Sequence, residues 1–312
     1  EKDGFDMYTS KKEETVVVSA RGRYAVEGIV SSGYSVIKPY KDKNIIGRVL
    51  REIWFRARLP ERIWYNKKIL KVHPKNIIVQ DTLITKKYLK WVIKKFPSAD
   101  IYYTYYNMIG KAKHLKPDKI PDKISVWTYD EGDAHKYGIN LQSSAGYFRL
   151  YIGEPQEKKY DVIFVGADKG RGESLLKLQK RMEQMGLKTK FIITADGRFS
   201  RHKWYYSKGI EYSQIISLDN QSKALLNITM PHQKGITMRD FESVFNKVKL
   251  ITNNTHIINF DFYRKENVFI LGKDDWKDLP FFLNTPFHEI DNNILEKYLF
   301  EKVVDEMTCG GL

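Results

Sequence analysis

The sequence predicts an α/β protein made of two doubly wound lobes, each with a parallel sheet. Three observations predict it. Apolar runs of strand length alternate with stretches of helical spacing along most of the 312 residues, the pattern of parallel sheets covered by helices. The stretch YDVIFVGADKGRGESLLKLQKRMEQMG, Tyr160 to Gly186, joins strand, short loop and amphipathic helix in one unit. Between the halves, LYIGEPQEKKY (150–160) carries Gly, Pro and charge but little apolar content, which marks a linker. The expected domains are therefore 1–155 and 156–312.

In the first half, TVVVSA (15–20) reads as a strand and RYAVEGIVSSG as a helix ending at Gly33. YSVIKPY, KNIIVQDTL (75–83), ADIYYTYYN (99–107) and DKISVWTYD (122–130) follow as strands. TKKYLKWVIKKF (85–96) has helical spacing, with Tyr88, Leu89, Val92, Ile93 and Phe96 on one face. In the second half, strand DVIFVG leads into a helix over 173–185, whose stripe is Leu175, Leu178, Met182 and Met185, with Gly186 at its C-cap. KTKFIITAD (188–196), SQIIS, ALLNI, VKLITN (248–253) and VFIL (268–271) read as strands, and 291–305 as a closing helix.

Composition narrows the class. Hydrophobic residues make up 42% of the chain, enough for packed cores. One cysteine, Cys309, allows no internal disulfide and fits a reducing compartment. No apolar run approaches the roughly 18–20 residues of a membrane span, and no signal-peptide pattern follows Glu1. A cytoplasmic protein is expected. The net charge of +15 is uneven: residues 1–155 hold 29 Lys+Arg against 17 Asp+Glu, residues 156–312 hold 24 against 21. A basic half suggests an anionic partner surface.

Two loops carry the chemistry. In GADKGRG, Gly166, Lys169 and Arg171 stand at a strand end, where cations and flexible backbone suit phosphates. In LLNITMPHQKGITMRDFESVFNKVKLITNN a strand ends in a loop, and a helix opens at Gly235-Ile236-Thr237. Thr237 is a good N-cap with Asp240 in a capping-box position. Glu242, one turn in, offers a carboxylate to ribose hydroxyls.

These segments resemble the donor-binding region of GT-B glycosyltransferases. Together with VWTYDEGDAHKYG (126–138) and FDFYRKENVFIL (260–271), the chain resembles bacterial lipopolysaccharide and capsular polysaccharide biosynthesis glycosyltransferases over most of 75–305. The resemblance implies two Rossmann-like domains facing each other across a cleft, with a C-terminal helix packing back toward the N-terminal domain. It implies a nucleotide-sugar donor on the second domain, a surface-glycan or lipid-linked acceptor on the first, hexosyl transfer, and no metal or other cofactor. Glu242 corresponds to the second glutamate of a paired-glutamate pattern. Eight positions earlier, where the first belongs, the chain has Lys234.

An inverting transfer needs a base for the acceptor hydroxyl. Asp81, at a strand end, is one candidate. Asp130, in an acidic cluster with Glu131, Asp133 and nearby His135, is another, and His232 beside the donor loop a third. Each also reads as a cap or turn residue. No pair of histidines has metal-ligand spacing on a predicted helix.

Segment 41–75 holds 11 Lys+Arg against three acids, interleaved with Ile53, Trp54, Phe55, Ile63 and Trp64. It fits peripheral docking on an anionic membrane surface, or aromatics packed on the sheet, or nucleic-acid contact. No helix-turn-helix, zinc or RNP-like pattern supports the last, so no nucleic-acid partner is expected. Alternatives to transfer are a sugar-nucleotide epimerase and a polyol-phosphate transferase.

Overall fold

The computed structural model describes residues 12–42, 44–110, 115–197, 201–229 and 235–309. The chain divides into two compact units, Glu1–Leu150 with Leu299–Leu312, and Tyr151–Tyr298.

The first unit runs β1 (Thr15–Val18), α1 (Arg23–Ser31), β2 (Ser35–Ile37), α2 (Ile45–Arg56), β3 (Asn76–Gln80), α3 (Lys86–Lys95), β4 (Asp100–Tyr105), β5 (Ser125–Thr128), α4 (Glu131–Tyr137) and β6 (Asn140–Leu141). Its strands form one sheet in the order β2-β1-β3-β4-β5-β6, parallel throughout. Val16–Val18 and Ile77–Val79 are buried without alternation, as expected of strands covered on both faces. α3 begins where Thr85 accepts a hydrogen bond from Tyr88 N–H at 3.1 Å. Tyr88, Leu89 and Val92 lie in the core as their spacing predicts, with Ile93 and Phe96 packed at its margin.

The second unit runs β7 (Tyr160–Ala167), α5 (Gly172–Gln184), β8 (Thr189–Thr194), α6 (Tyr212–Asn220), β9 (Ser222–Asn227), α7 (Met238–Phe245), β10 (Lys249–Thr252), β11 (Val268–Ile270), α8 (Leu279–Asn284) and α9 (Asn292–Glu296). The order β11-β10-β9-β7-β8 is again parallel throughout. Helix α10 (Phe300–Thr308) ends the described chain.

Both sheets share one connectivity. The first strand lies between the second and the third, as in flavodoxin-like sheets, so chain direction across the sheet reverses beside it. The reversal falls between β1 and β3 in one unit and between β7 and β9 in the other. Ligands in such sheets bind at the carboxyl ends flanking that reversal.

Three expectations change. SQIIS is helix, not strand: Glu211 and Gln214 form a capping box that starts α6, and only Ile216 of its apolar side chains is buried. The closing helix over 291–305 is two helices, α9 and α10, separated at 297–299. There Leu299 bridges to Tyr147 and Phe300 N–H donates to Tyr147 O at 2.8 Å. The chain after 298 is therefore part of the first unit, so the C-terminal helix packs back on the N-terminal domain as expected, while the second domain, expected as 156–312, is Tyr151–Tyr298.

The return is made at close quarters. Gly146 adopts φ +78°, and a Cβ there would stand 2.9 Å from the Phe300 Cα. A left-handed backbone and a main-chain clash both demand glycine. Gly146→Ala is expected to destabilise the protein by about 3 kcal/mol. An unchanged urea midpoint would refute this account of the join.

Candidate functional site

β7 ends at Ala167, and the loop that follows is organised by a residue the sequence reading passed over. Asp168 is buried. Its carboxylate accepts from Gly172 N–H at 2.6 Å, Lys203 Nζ at 2.8 Å, Tyr206 O–H at 2.7 Å and Tyr205 O–H at 3.0 Å. It thus caps α5 and gathers the loop after β8. Burial pushes its pKa up, but the four donors outweigh burial and hold it well below the usual carboxylate range. The aspartate in GADKGR, just past a strand and four residues before a helix glycine, was the available signal. Lys203 and the two tyrosines, 35 or more residues away, gave none.

Lys169 and Gly170 both take left-handed conformations, φ 49° and 77°, which turns the chain sharply between strand and helix. Lys169 N–H donates to Asp196 Oδ1 at 2.5 Å, which supports the uncommon conformation. Arg171 lies back along the loop. Its Nη2 donates to Ala167 O at 3.3 Å, and its guanidinium stands 5.3 Å from the Phe164 ring centroid. Gly166 lies beneath them, and a Cβ there would come within 3.7 Å of Arg171 Nη2. The pKa values of Lys169 and Arg171 are both lowered, first by burial, and for Lys169 next by the Arg171 charge; Asp196 opposes both shifts. Two cations thus stand side by side, Lys169 exposed and Arg171 half-buried with no hydrogen-bond partner for its Nε, an arrangement an anionic ligand would complete.

Across the reversal, at the end of β9, Thr237 caps α7 as predicted. Asn227 Nδ2 donates to Thr237 Oγ1 at 3.0 Å and to Asp240 Oδ1 at 2.8 Å. Thr237 N–H donates to Asp240 Oδ2 at 2.6 Å and Arg239 N–H to Thr237 Oγ1 at 3.2 Å. Gly235 and Ile236 are buried beside this cap. These N–H groups were expected to be free for an anion. Two are used by the cap, and the Asp240 carboxylate already occupies the positive end of the helix.

Glu242 was expected to face the loop and meet ribose. It lies inside, 2% exposed. Tyr212 O–H donates to its Oε1 at 2.6 Å, and Arg239 Nη1 pairs with its Oε2 at 2.8 Å. Arg239 also donates to Asp219 Oδ1 at 2.8 Å and to Val165 O at 3.0 Å. Burial raises the pKa of both Asp219 and Glu242, against the pull of Arg239. Arg239 thus ties α6 and the first turn of α7 to the end of β7. The segments 166–171 and 235–237 therefore flank one reversal point, while Glu242 supports them from within.

The base candidates fall elsewhere. His232 lies outside the described residues. Asp81 is fully buried just past β3, accepting from Tyr106 N–H at 3.3 Å. Asp130 is the N-cap of α4, accepting from Asp133 N–H at 2.9 Å. The two lie in one electrostatic neighbourhood: burial raises the Tyr129 pKa, and the charges of Asp130, Asp133 and Asp81 raise it further. Among the described residues no group of acidic, histidine or cysteine side chains is arranged to hold a metal ion.

The segment 41–75 divides its aromatics from its aliphatics. Phe55 and Trp64 pack against the first core, and Trp54 Nε1 donates to Pro60 O at 3.0 Å. Ile45, Ile46, Val49, Leu50 and Ile53 form one stripe along α2 and remain 51–68% exposed. Among the described residues no helix is long and apolar enough to cross a membrane.

No protein-family model and no curated protein sequence matches the chain. Among solved structures, it is similar to the catalytic domain of starch synthase IV from Arabidopsis thaliana bound to ADP and acarbose. That overlap has a TM-score of 0.40 at 10% identity, covering 82% of this chain and 71% of that one. The spinosyn forosaminyltransferase SpnP overlaps with a TM-score of 0.39 at 7% identity, over 96% and 94% of the two chains. At these scores the residues of the site carry the functional reading.

The role of Asp168 has a pH signature. Its folded pKa is depressed, so its contribution is complete above the ordinary carboxylate value near ~4 and is lost as pH falls below it. Asp168→Asn is expected to cost about 2 kcal/mol at neutral pH and to flatten the acid limb of the stability curve. Parallel acid limbs for the two proteins in urea titrations would contradict the assignment.

Proposed function

We propose that the protein is a glycosyltransferase of the GT-B kind that takes its sugar from a nucleoside diphosphate. The observation that carries this reading is the pair Lys169 and Arg171 at the carboxyl edge where the second sheet reverses, Lys169 exposed and Arg171 half-buried with no hydrogen-bond partner for its Nε. The diphosphate lies against these cations and the backbone at Gly166, with Gly235, Ile236 and Thr237 bounding the site. Transfer breaks the bond from the anomeric carbon to the diphosphate oxygen, which leaves with the electron pair. The acceptor oxygen bonds to that carbon and gives its proton to a base. The two cations stabilise the charge that develops on the leaving group. Asp81, Asp130 and His232 stay candidates for the base, and no metal is required. Glu242 acts as a positioning residue through Arg239. Trp204, 83% exposed beside the Lys203 that holds Asp168, offers a flat apolar face to the nucleobase.

The acceptor is a surface glycan or its lipid-linked precursor, of the kind made in lipopolysaccharide and capsule assembly. The first unit docks the protein on the inner face of an anionic membrane. The support is the exposed stripe of α2 together with the excess of basic residues over 41–75.

A thermal-shift screen against UDP, GDP, CDP, ADP and dTDP without metal tests the donor site. One nucleotide at about 100 times its dissociation constant should stabilise the protein by about 2.7 kcal/mol. Lys169→Ala with Arg171→Ala should abolish the response, and Trp204→Ala should weaken it. Silence from all five nucleotides would end the transferase reading.

Docking is tested by sedimentation with vesicles of phosphatidylcholine and phosphatidylserine. Ile46→Ser and Leu50→Ser should each weaken binding about tenfold, since each removes a buried aliphatic side chain. Wild-type affinity in the double variant would rule out the stripe as the docking face.

A further inference from the structure

The corresponding place in the first unit is also lined by cations. A groove of about 220 Å³ opens there, and Ala20, Arg21 and Leu83 line it. Those residues follow β1 and β3, the two strands that flank the reversal of the first sheet. Lys38, from the end of β2, and Arg48 and Arg51, from α2, also line it. Among the described residues of the lining, four cations face one acid, Asp42.

Arg51 makes this a built site rather than a basic surface. It is 2% exposed. Its guanidinium stacks 4.3 Å from the Tyr40 ring centroid and 5.6 Å from that of Phe55. Nε lies 3.1 Å from Asp42 Oδ1, while Nη2 is buried with no hydrogen-bond partner. A buried guanidinium with a donor left over is costly unless something accepts from it. Its planar fork matches a phosphate. Arg21 is fixed as well: its guanidinium lies 4.2 Å from the Tyr106 ring centroid and donates to Tyr24 O–H at 2.6 Å.

Ile45 lines the groove and is also the first residue of the exposed aliphatic stripe on α2. Charge and grease thus begin at the same point. We infer that this groove binds the phosphate or diphosphate of an amphiphile, with Arg51, Arg48 and Lys38 on the phosphate and the lipid chain running along the α2 stripe. The inference rests on the transferase reading for one element only, that this amphiphile is the acceptor. The phosphate is a handle for the acceptor and takes no part in bond making.

Two arms separate free phosphate from a lipid headgroup. In the first, the Lys169→Ala, Arg171→Ala protein, whose donor site is disabled, is titrated with inorganic pyrophosphate by calorimetry. In the second, the wild-type protein is sedimented with phosphatidylcholine vesicles carrying either a polyprenyl phosphate or phosphatidylserine at matched surface charge. The expected result is pyrophosphate binding, together with about tenfold tighter association with the polyprenyl phosphate vesicles. Lys38→Gln with Arg48→Gln, both on exposed side chains, should erase the preference and the groove's pyrophosphate signal, and with Lys169 and Arg171 intact should leave the nucleotide thermal shift in place. Equal affinity for the two vesicles overturns the lipid assignment, even where pyrophosphate binds. No pyrophosphate binding and no preference overturns the site. A nucleotide response without vesicle preference refutes this inference alone. Preference without any nucleotide response refutes the transferase reading and leaves the groove as a lipid-phosphate site.

Discussion

The second unit depends on one buried guanidinium. Arg239 holds Asp219 of α6 and Glu242 of α7 through the same nitrogen, and its other terminal nitrogen holds the carbonyl of Val165 in β7. A buried charge is tolerable only when paired. Here two carboxylates share one cation, so negative charge is in excess, and burial drives both acids toward higher pKa. The arrangement fixes two helices and a strand end at the point where the sheet reverses. The loop that carries Lys169 and Arg171 therefore leaves a strand end whose surroundings are tied together. The same arrangement holds Glu242 inside: turning it outward would give up Tyr212 and half of the charge on Arg239's acidic side.

Asp168 plays the matching part on the other side of β7. Its four donors come from the helix it caps and from the loop after β8. With Asp168 committed inward, Lys169 is the exposed cation of the loop, and Arg171 lies back against Ala167 O and the Phe164 ring. Both helix starts at this edge therefore already hold an internal carboxylate, Asp168 on α5 and Asp240 on α7. An anion at this edge would meet side-chain cations more than free helix N–H groups.

Much of this was legible in the sequence, and the limits have physical causes. Parallel strands buried on both faces are near-continuous apolar runs, so β1, β3, β7, β9 and β10 stood out. Thr237 with Asp240 was readable because capping is local chemistry. SQIIS misled because a short apolar run has no period of its own, and the Glu211–Gln214 box decided it. Glu242 was placed correctly on its helix but on the wrong side of it. Which face of a helix is interior depends on Arg239 and Tyr212, and only the fold brings them together. Asp168 was overlooked for the same reason, since three of its four donors lie 35 or more residues away.

The α2 helix shows how far a periodic pattern reaches. The spacing of Ile45, Ile46, Val49, Leu50 and Ile53 announces a stripe, and the ordinary rule turns such a stripe inward. Here the rule is reversed. The interior face is claimed by Arg51, stacked on Tyr40 and held by Asp42, with Phe55 beside it. The five aliphatic side chains are left outside. Each would gain about 1.5–3 kcal/mol on full burial, so the water-exposed helix forgoes several such terms at once. A buried arginine with an unused donor is also unfavourable by itself. Two local costs on one helix, of opposite chemistry and ending at one groove, have a common resolution in a ligand that is apolar along its length and anionic at its head.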